Sequence, residues 1–340
     1  MSHYSKVLSC FSIFCFGLLQ TSTSLNLRPI IGIITQPTHA HNSVYGEEYI
    51  QASYVKYLEM AGARVVAIKG NQSQEYYEDL FKKINGVFFP GGETDIDKGI
   101  YATSGKYMYD LAIEANKNSD FFPLWGTCLG FQLMTALSSD GNDHLKRTDS
   151  NNLTLPLIFE KDFQTSRLFK DMPADLIEIL KTEPVTQNEH NWSLLLKDFY
   201  TLPNLSTFYR LLTTNVGRDN VTFVSGFEAN QYPFYGIQWH PEKSVVTWDY
   251  QVVNHSFNAI RVSQYFANFF VNEARKSNHR FNSIEDEAEA IIENAKRVFV
   301  PDFKSPEAFY FNSAINILPC SQRILISIVS ITCLVFIIIS

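Results

Sequence analysis

The sequence predicts an α/β domain in which helices cover both faces of a mostly parallel central sheet. Short β-branched runs alternate with segments of helical spacing along most of the chain. The first run, residues 29–35, is almost entirely apolar, as is typical of a strand buried on both faces. Glycine and proline, as at Gly62 and at 90–92, separate the runs. Alternation of this kind builds a sheet whose neighbouring strands run parallel.

The elements follow in order from residue 29. A strand at 29–35 precedes a helix at 49–61, which Gly62 terminates, and a second strand at 64–68. Five further elements continue the alternation: helices are predicted at 76–83, 107–115 and 129–136, and strands at 87–89 and 121–125. Residues 138–205 are less regular; beyond them the spacing predicts paired strands at 223–227 and 235–239 and helices at 259–276 and from Ser283.

Length and composition limit the class of protein. The 340 residues are 45% hydrophobic and 19% charged, which is typical of a globular chain of one or two domains. The net charge is −7 and there is no long basic run, so nucleic acid is not an expected partner. We expect one catalytic domain at 25–296, followed by a linker at 297–323.

The N-terminus has the pattern of a secretory signal peptide at residues 1–24. Lys6 precedes an uncharged run at 7–19, and small polar residues follow at 21–24. Six Asn-X-Ser/Thr sequons agree with export and glycosylation; they begin at Asn71, Asn152, Asn191, Asn204, Asn220 and Asn254. The chain is therefore expected in the secretory pathway.

The C-terminus, residues 324–340, is a hydrophobic tail without a charged side chain. As a helix it would be roughly 25 Å long, slightly shorter than a bilayer core of about 30 Å. Small residues at 312–314 and the spacer that follows them fit a GPI-anchor signal. A short tail anchor is the alternative, and both readings attach the protein to the cell-surface membrane.

Cys128 is the strongest candidate for a reactive residue. The other four cysteines lie near the two ends, so Cys128 is the only thiol in the body of the chain. It stands between a predicted strand and a predicted helix, and Gly126 and Gly130 flank it. This spacing is typical of a nucleophile elbow, in which small neighbours permit a sharp bend and the helix N-terminus favours a thiolate. A buried structural cysteine is the alternative.

His240 is the predicted proton-transfer partner of Cys128. It follows an apolar strand, and catalytic groups of open α/β sheets lie at such strand ends. Glu242, two residues later, is predicted to orient the imidazole, because positions i and i+2 of an extended segment face the same side. The N–H of Leu129 and that of Gly91 or Gly92 are predicted to bind the oxyanion. No ligand spacing indicates a metal, and no cofactor is expected.

These motifs carry a resemblance to known proteins. Residues 126–132 together with 240–242 resemble the class I glutamine amidotransferase superfamily, which has a flavodoxin-like α/β sandwich. Residues 52–66, 84–92 and 270–276 narrow the resemblance to the γ-glutamyl hydrolase family of cysteine peptidases. The resemblance implies hydrolysis of γ-glutamyl bonds in folate and antifolate polyglutamates, in the lysosome or vacuole or after secretion. It assigns Cys128 as the nucleophile, His240 as the acid/base and Glu242 as its orienting residue.

Further roles rest on the resemblance alone. It implies that Gln132 contacts the glutamyl head of the substrate, that His190 lies near the site and that Tyr45 lies beside the substrate. It also implies a homodimer. Two other functions stay open: a glutaminase subunit that delivers ammonia to a partner, and a non-catalytic surface protein that uses the fold for binding.

Overall fold

The computed structural model describes residues 25–248, 252–299 and 307–312. The predicted signal peptide at 1–24 and the hydrophobic tail at 324–340 lie outside the described residues. Within the described ranges, no helix combines the length and the apolar character needed to cross a membrane.

Fourteen strands are found among the described residues, and they form three sheets. They are β1 (Ile30–Ile34), β2 (Gln36–Pro37), β3 (Glu48–Gln51), β4 (Arg64–Ile68), β5 (Gly86–Phe89), β6 (Leu124–Thr127), β7 (Lys146–Leu155), β8 (Ile158–Phe159), β9 (Thr186–Ser193), β10 (Tyr209–Val216), β11 (Thr222–Ala229), β12 (Phe234–Ile237), β13 (Lys296–Phe299) and β14 (Glu307–Phe311). The central sheet has eight strands in the order β4-β1-β5-β6-β12-β11-β10-β8.

The central sheet is parallel on one side and antiparallel on the other. Strands β4, β1, β5, β6 and β12 run parallel to one another, whereas β12–β11, β11–β10 and β10–β8 are antiparallel pairs. This arrangement confirms the predicted fold class, a mostly parallel sheet covered by helices. A second sheet has the order β13-β14-β3-β2, and β7 and β9 form a separate two-stranded ribbon.

Ten α-helices lie among the described residues. They are α1 (Ala52–Glu59), α2 (Gln74–Phe81), α3 (Gly99–Lys117), α4 (Leu129–Ser139), α5 (Ala174–Thr182), α6 (Leu196–Thr201), α7 (Leu205–Phe208), α8 (Lys243–Val246), α9 (Phe257–Ala274) and α10 (Ile284–Ala290). The side chain of Ser283 accepts a hydrogen bond from the N–H of Asp286, so the predicted cap of the last helix is present.

The core lies on both faces of the central sheet because its strands alternate apolar side chains between them. Ile31 and Ile33 of β1 belong to a buried cluster that includes residues of α1 and α9. Ile30 and Ile34 of the same strand belong to a second cluster, with residues of α2, α3 and α4. A strand buried on both faces reads as a continuous apolar run, as the sequence of β1 does.

Three segments differ from the sequence prediction. Residues 49–51, predicted as the start of a helix, belong to β3, and the helix begins at Ala52. The range predicted as irregular contains α5 and the β7–β9 ribbon. The predicted linker at 297–323 contains most of β13 and the whole of β14, so the folded body continues past residue 296. Because β14 pairs with β3, a strand far away in sequence, local spacing gave no indication of it.

Candidate active site

Three neighbouring strands bring the predicted catalytic residues to one edge of the sheet. Strands β5, β6 and β12 are parallel, with β6 in the middle, so their carboxyl ends lie side by side. Cys128 follows β6, Gly91 follows β5 and His240 follows β12. A β-carbon added to Gly91 would stand 2.8 Å from Cε1 of His240 and 3.2 Å from Cβ of Cys128. Gly91 therefore lies beside both residues, and those two carbons are no more than 6.0 Å apart.

Cys128 has the strained backbone that a nucleophile elbow requires. Its φ is +52°, in a region of backbone conformation that residues other than glycine rarely adopt. Helix α4 begins at the next residue. A side chain at Gly126 would collide with the backbone of Gly130, and a side chain at Gly130 would collide with the backbone of Phe89. The predicted need for small neighbours therefore has a steric cause. The thiol is free and lines a cavity at the sheet edge.

His240 and Glu242 form a buried ion pair. Nδ1 of His240 lies 2.7 Å from Oε1 of Glu242. The predicted contact is present, but its local geometry differs from the prediction. Glu242 has helical backbone angles (φ −64°, ψ −28°) at the start of α8, so a turn, and not an extended segment, brings the carboxylate to the ring.

The surroundings of His240 favour its protonated form. Burial alone would lower the pKa of His240, but the charges of Glu242 and then of Cys128 oppose burial and raise the pKa to about 9. Nε2 of the ring makes no hydrogen bond with any described residue. An imidazolium at this position is suited to donating a proton to a group bound beside Cys128.

The predicted oxyanion donors lie around the elbow. Leu129 is the first residue of α4, and the first N–H groups of a helix have no acceptor within that helix. Of the two glycines after β5, Gly91 is the one against Cys128, whereas a β-carbon on Gly92 would meet the side chain of Gln36. Nε2 of Gln36 donates to the carbonyl of Gly91 at 3.0 Å and so holds this turn in place.

Two cavities meet at Cys128. The first, here called the His240 cavity, has a volume of about 300 Å³ and is also lined by Gly91, His240 and Lys243. The second, the Gln132 cavity, has a volume of about 500 Å³ and is also lined by Leu129, Gln132, His190 and Trp192. Both volumes fall within the range of small-molecule sites. Within the described ranges, no group of three or more His, Cys, Asp or Glu residues could hold a metal ion.

The three residues predicted to contact substrate have different positions. Gln132 is buried and lines the Gln132 cavity, and its Nε2 donates to the carbonyl of Trp192 at 2.7 Å. His190 lines the same cavity. Tyr45 packs instead against Tyr310, with ring centroids 5.3 Å apart, and the neighbouring Tyr49 lines the His240 cavity.

Burial keeps the ring of His190 neutral, and hydrogen bonds hold it in place. Nδ1 lies 3.0 Å from the hydroxyl oxygens of Ser150 and Ser193, and Nε2 lies 3.1 Å from Oδ1 of Asn188. Burial, and then the charge of His240, lowers the pKa of His190 to about 3. His190 is therefore suited to shaping the cavity and not to carrying charge.

This shift predicts that His190 destabilises the fold in acid. The unfolded chain protonates an ordinary histidine near pH 6.5, while the folded chain resists protonation of His190 down to about pH 3. Stability from this group is complete above pH 6.5 and falls by about 1.4 kcal/mol per pH unit below it. We expect the stability advantage of the wild type over His190→Gln to shrink by about 2 kcal/mol between pH 7 and pH 5, measured by urea unfolding. Equal differences at both pH values would contradict the shift.

Several residues at the site were not identified from the sequence. The hydroxyl of Tyr54, on α1, lies 3.5 Å from Nδ1 of His240. Nζ of Lys243 lies 2.5 Å from Oε2 of Glu189, and both side chains are nearly buried, with 7% and 11% exposed. His39 and His41 line the His240 cavity with their rings stacked 5.8 Å apart. Lys243 directly follows Glu242, and Glu189 directly precedes His190. Their position next to predicted site residues was the only indication in the sequence that they belong to the site.

Comparison with known proteins places the chain in a family. Residues 29–153 match the family Peptidase C26. The chain is 43% identical to gamma-glutamyl hydrolase of Bos taurus over 83% of this chain and 89% of that protein. It is 42% identical to gamma-glutamyl hydrolase of Homo sapiens over the same shares. It is 38% identical to gamma-glutamyl hydrolase B of Dictyostelium discoideum, over 91% of this chain and 92% of that protein. The chain belongs to the gamma-glutamyl hydrolase family of C26 peptidases.

Proposed function

We propose that this protein hydrolyses γ-glutamyl bonds of folate and antifolate polyglutamates, with Cys128 as the nucleophile. The observation that carries the proposal is the elbow itself. Cys128, with its positive φ, and the ring of His240, which is ion-paired with Glu242, lie beside the same glycine, Gly91. Membership of the family supports the bond type, and the names of the similar proteins support the same reaction.

The proposed reaction has two halves. The thiolate of Cys128 attacks the γ-carbonyl carbon, and the N–H groups of Leu129 and Gly91 or Gly92 bind the resulting oxyanion. Protonated His240 gives its proton to the leaving nitrogen as the C–N bond breaks, and a γ-glutamyl thioester remains on Cys128. Neutral His240 then takes a proton from water, which attacks the thioester and releases the acyl group and the thiolate. Glu242 keeps the ring oriented throughout.

A substrate comparison tests this function. The purified protein is incubated with a γ-linked folate polyglutamate, with its α-linked isomer and with free glutamine, and glutamate peptides and ammonia are measured. We expect cleavage of the γ-linked substrate only. Ammonia from glutamine as the main product would favour the glutaminase alternative, and tight binding without any product would favour the non-catalytic binding protein.

The raised pKa of His240 predicts the alkaline limit of activity. Since protonated His240 is the acid, kcat/KM should fall as the pH rises through about 9. The Glu242→Gln variant loses the carboxylate that raises this pKa, so its limit should move about one to three pH units toward acid. Rate profiles between pH 5 and 10 measure both limits. An unchanged limit in Glu242→Gln would show that another group controls it.

We propose that the chain enters the secretory pathway, carries N-glycans and forms a homodimer. We also propose that residues 324–340 either attach it to the cell-surface membrane as a tail anchor or are replaced by a GPI anchor. The signal-peptide pattern at residues 1–24 supports entry into the secretory pathway, and the hydrophobic tail at 324–340 supports membrane attachment. The sequon asparagines outside the two cavities support glycosylation: Asn71, Asn152, Asn204 and Asn220 are exposed, and Asn254 is half-buried. Mass spectrometry of the mature protein measures its two ends and its glycans, and light scattering measures the dimer. A mature chain that begins at Met1 without glycan would contradict export.

A further inference from the structure

The two cavities at Cys128 differ in their chemistry. The basic residues that belong only to the His240 cavity are His39, His41, His240 and Lys243. The Gln132 cavity instead adds the carboxylates of Asp95 and Asp143, and of the described residues that line it, none is a lysine or an arginine. Glu93 and Glu189 line both cavities and therefore do not distinguish them.

The position of His240 relates each cavity to one half of the substrate. In the proposed reaction His240 protonates the leaving nitrogen, so the released product must extend into the cavity that His240 lines. The acyl half must then extend past Leu129 and Gln132, into the other cavity. This step rests on the proposed function and on two observations: both cavities include Cys128, and His240 lines only one of them.

The released half fits the His240 cavity better than the Gln132 cavity, because the Gln132 cavity has two more carboxylates and only the His240 cavity includes a lysine. In a poly-γ-glutamate, every released residue carries a free carboxylate. Imidazole N–H groups donate hydrogen bonds to carboxylates, and the rings of His39 and His41 stack side by side in the lining of this cavity. Lys243 adds an ammonium group, which its ion pair with Glu189 holds at the cavity wall.

The acyl half that fits the Gln132 cavity is aromatic. Trp192 lines this cavity with 55% of its surface exposed, and Ile96 and Leu145 add apolar surface. An exposed indole is suited to stacking on a planar ring, and the carboxylates of Asp95 and Asp143 accept hydrogen bonds from ring N–H groups. The same carboxylates repel a polyanionic tail. The Gln132 cavity is also the larger of the two, at about 500 Å³ against about 300 Å³.

We propose that the Gln132 cavity binds the aromatic head of the substrate as the acyl half, and that the His240 cavity binds the anionic poly-γ-glutamate as the leaving half. The preferred scissile bond is then the γ-glutamyl bond nearest the aromatic head. The enzyme releases the tail as one peptide, and Trp192, His39 and His41 determine this preference.

Two pentaglutamates test the proposal in the full-length mature protein. One carries a pteroyl head, and the other carries an acetyl group in its place. We expect the first products from the pteroyl substrate to be the pteroyl monoglutamate and a tetraglutamate, identified by mass spectrometry of early time points. Trp192→Ala should raise KM for the pteroyl substrate about tenfold and leave KM for the acetyl substrate unchanged. Tyr200→Ala, which removes a similarly exposed aromatic ring outside both cavities, is the matched control and should change neither KM.

The His240 cavity has its own test. The double variant His39→Ala/His41→Ala should lower kcat/KM about tenfold for the pteroyl pentaglutamate, and less for the pteroyl diglutamate, which releases a single glutamate. Stepwise loss of single glutamates from the tail, or equal effects of Trp192→Ala on both pentaglutamates, would overturn this inference and leave the proposed function intact. Absence of cleavage of either pentaglutamate by the wild type would overturn both.

Discussion

Replacing Cys128 by alanine is expected to abolish hydrolysis. The proposed reaction forms its thioester on this sulfur, so the variant should lose about 10⁴-fold or more in kcat. The fold should persist, because alanine leaves the backbone and the flanking glycines unchanged. Steady-state release of glutamate peptides measures the effect, and calorimetric binding of the uncleaved substrate shows that the site is still formed.

The same experiment has a chemical control. Iodoacetamide should modify Cys128 in the wild type, and added substrate should protect it, because the thiol lines the cavities where substrate is proposed to bind. The Cys128→Ala variant should take up no label at this peptide. Turnover within about tenfold of the wild type would exclude Cys128 as the nucleophile.

Replacing Gly91 by alanine is expected to block the site without a change of charge. The new methyl group would stand against the Tyr54 hydroxyl, 2.8 Å from Cε1 of His240 and 3.2 Å from Cβ of Cys128. One of these groups must move. A displacement of about 1 Å at a reacting centre lowers kcat about 100-fold. Peptide release measures the loss, and the midpoint of thermal unfolding shows whether the protein remains folded.

Gly105→Ala is the matched control for this substitution. Gly105 lies in α3, where alanine favours the helix, and its added methyl group would meet the end of the Leu133 side chain. Activity should be unchanged because Gly105 does not line either cavity. Full activity of Gly91→Ala would mean that Gly91 does not control the geometry of His240 and Cys128.

The centre of the site was predictable because its signals are local. The glycines around Cys128 lie within two residues of it and predict the bend, and its place between a strand and a helix follows from the alternation of elements. The position of His240 beside it follows from a general property of parallel sheets, whose strand ends share an edge. Glu242 was identified correctly as the partner of His240, although a turn forms the contact.

The walls of the site were not predictable in the same way. Tyr54 lies on a helix whose spacing indicated only a buried face, yet its hydroxyl approaches His240. The ion pair between Lys243 and Glu189 joins α8 to the β7–β9 ribbon, and no periodicity relates these segments. Tyr45 was predicted beside the substrate, but it packs against Tyr310, which belongs to a strand that the sequence pattern did not indicate.

Strand β14 has a consequence for how the chain tolerates trimming. It pairs with β3, β3 pairs with β2, and Gln36 of β2 holds the carbonyl of Gly91 beside the nucleophile. A protease that removes residues beyond 312 leaves this series of contacts complete. A cut that also removes β14 would take away the outer neighbour of β3 and loosen the support of Gly91, so a recombinant enzyme that ends before Glu307 should lose activity.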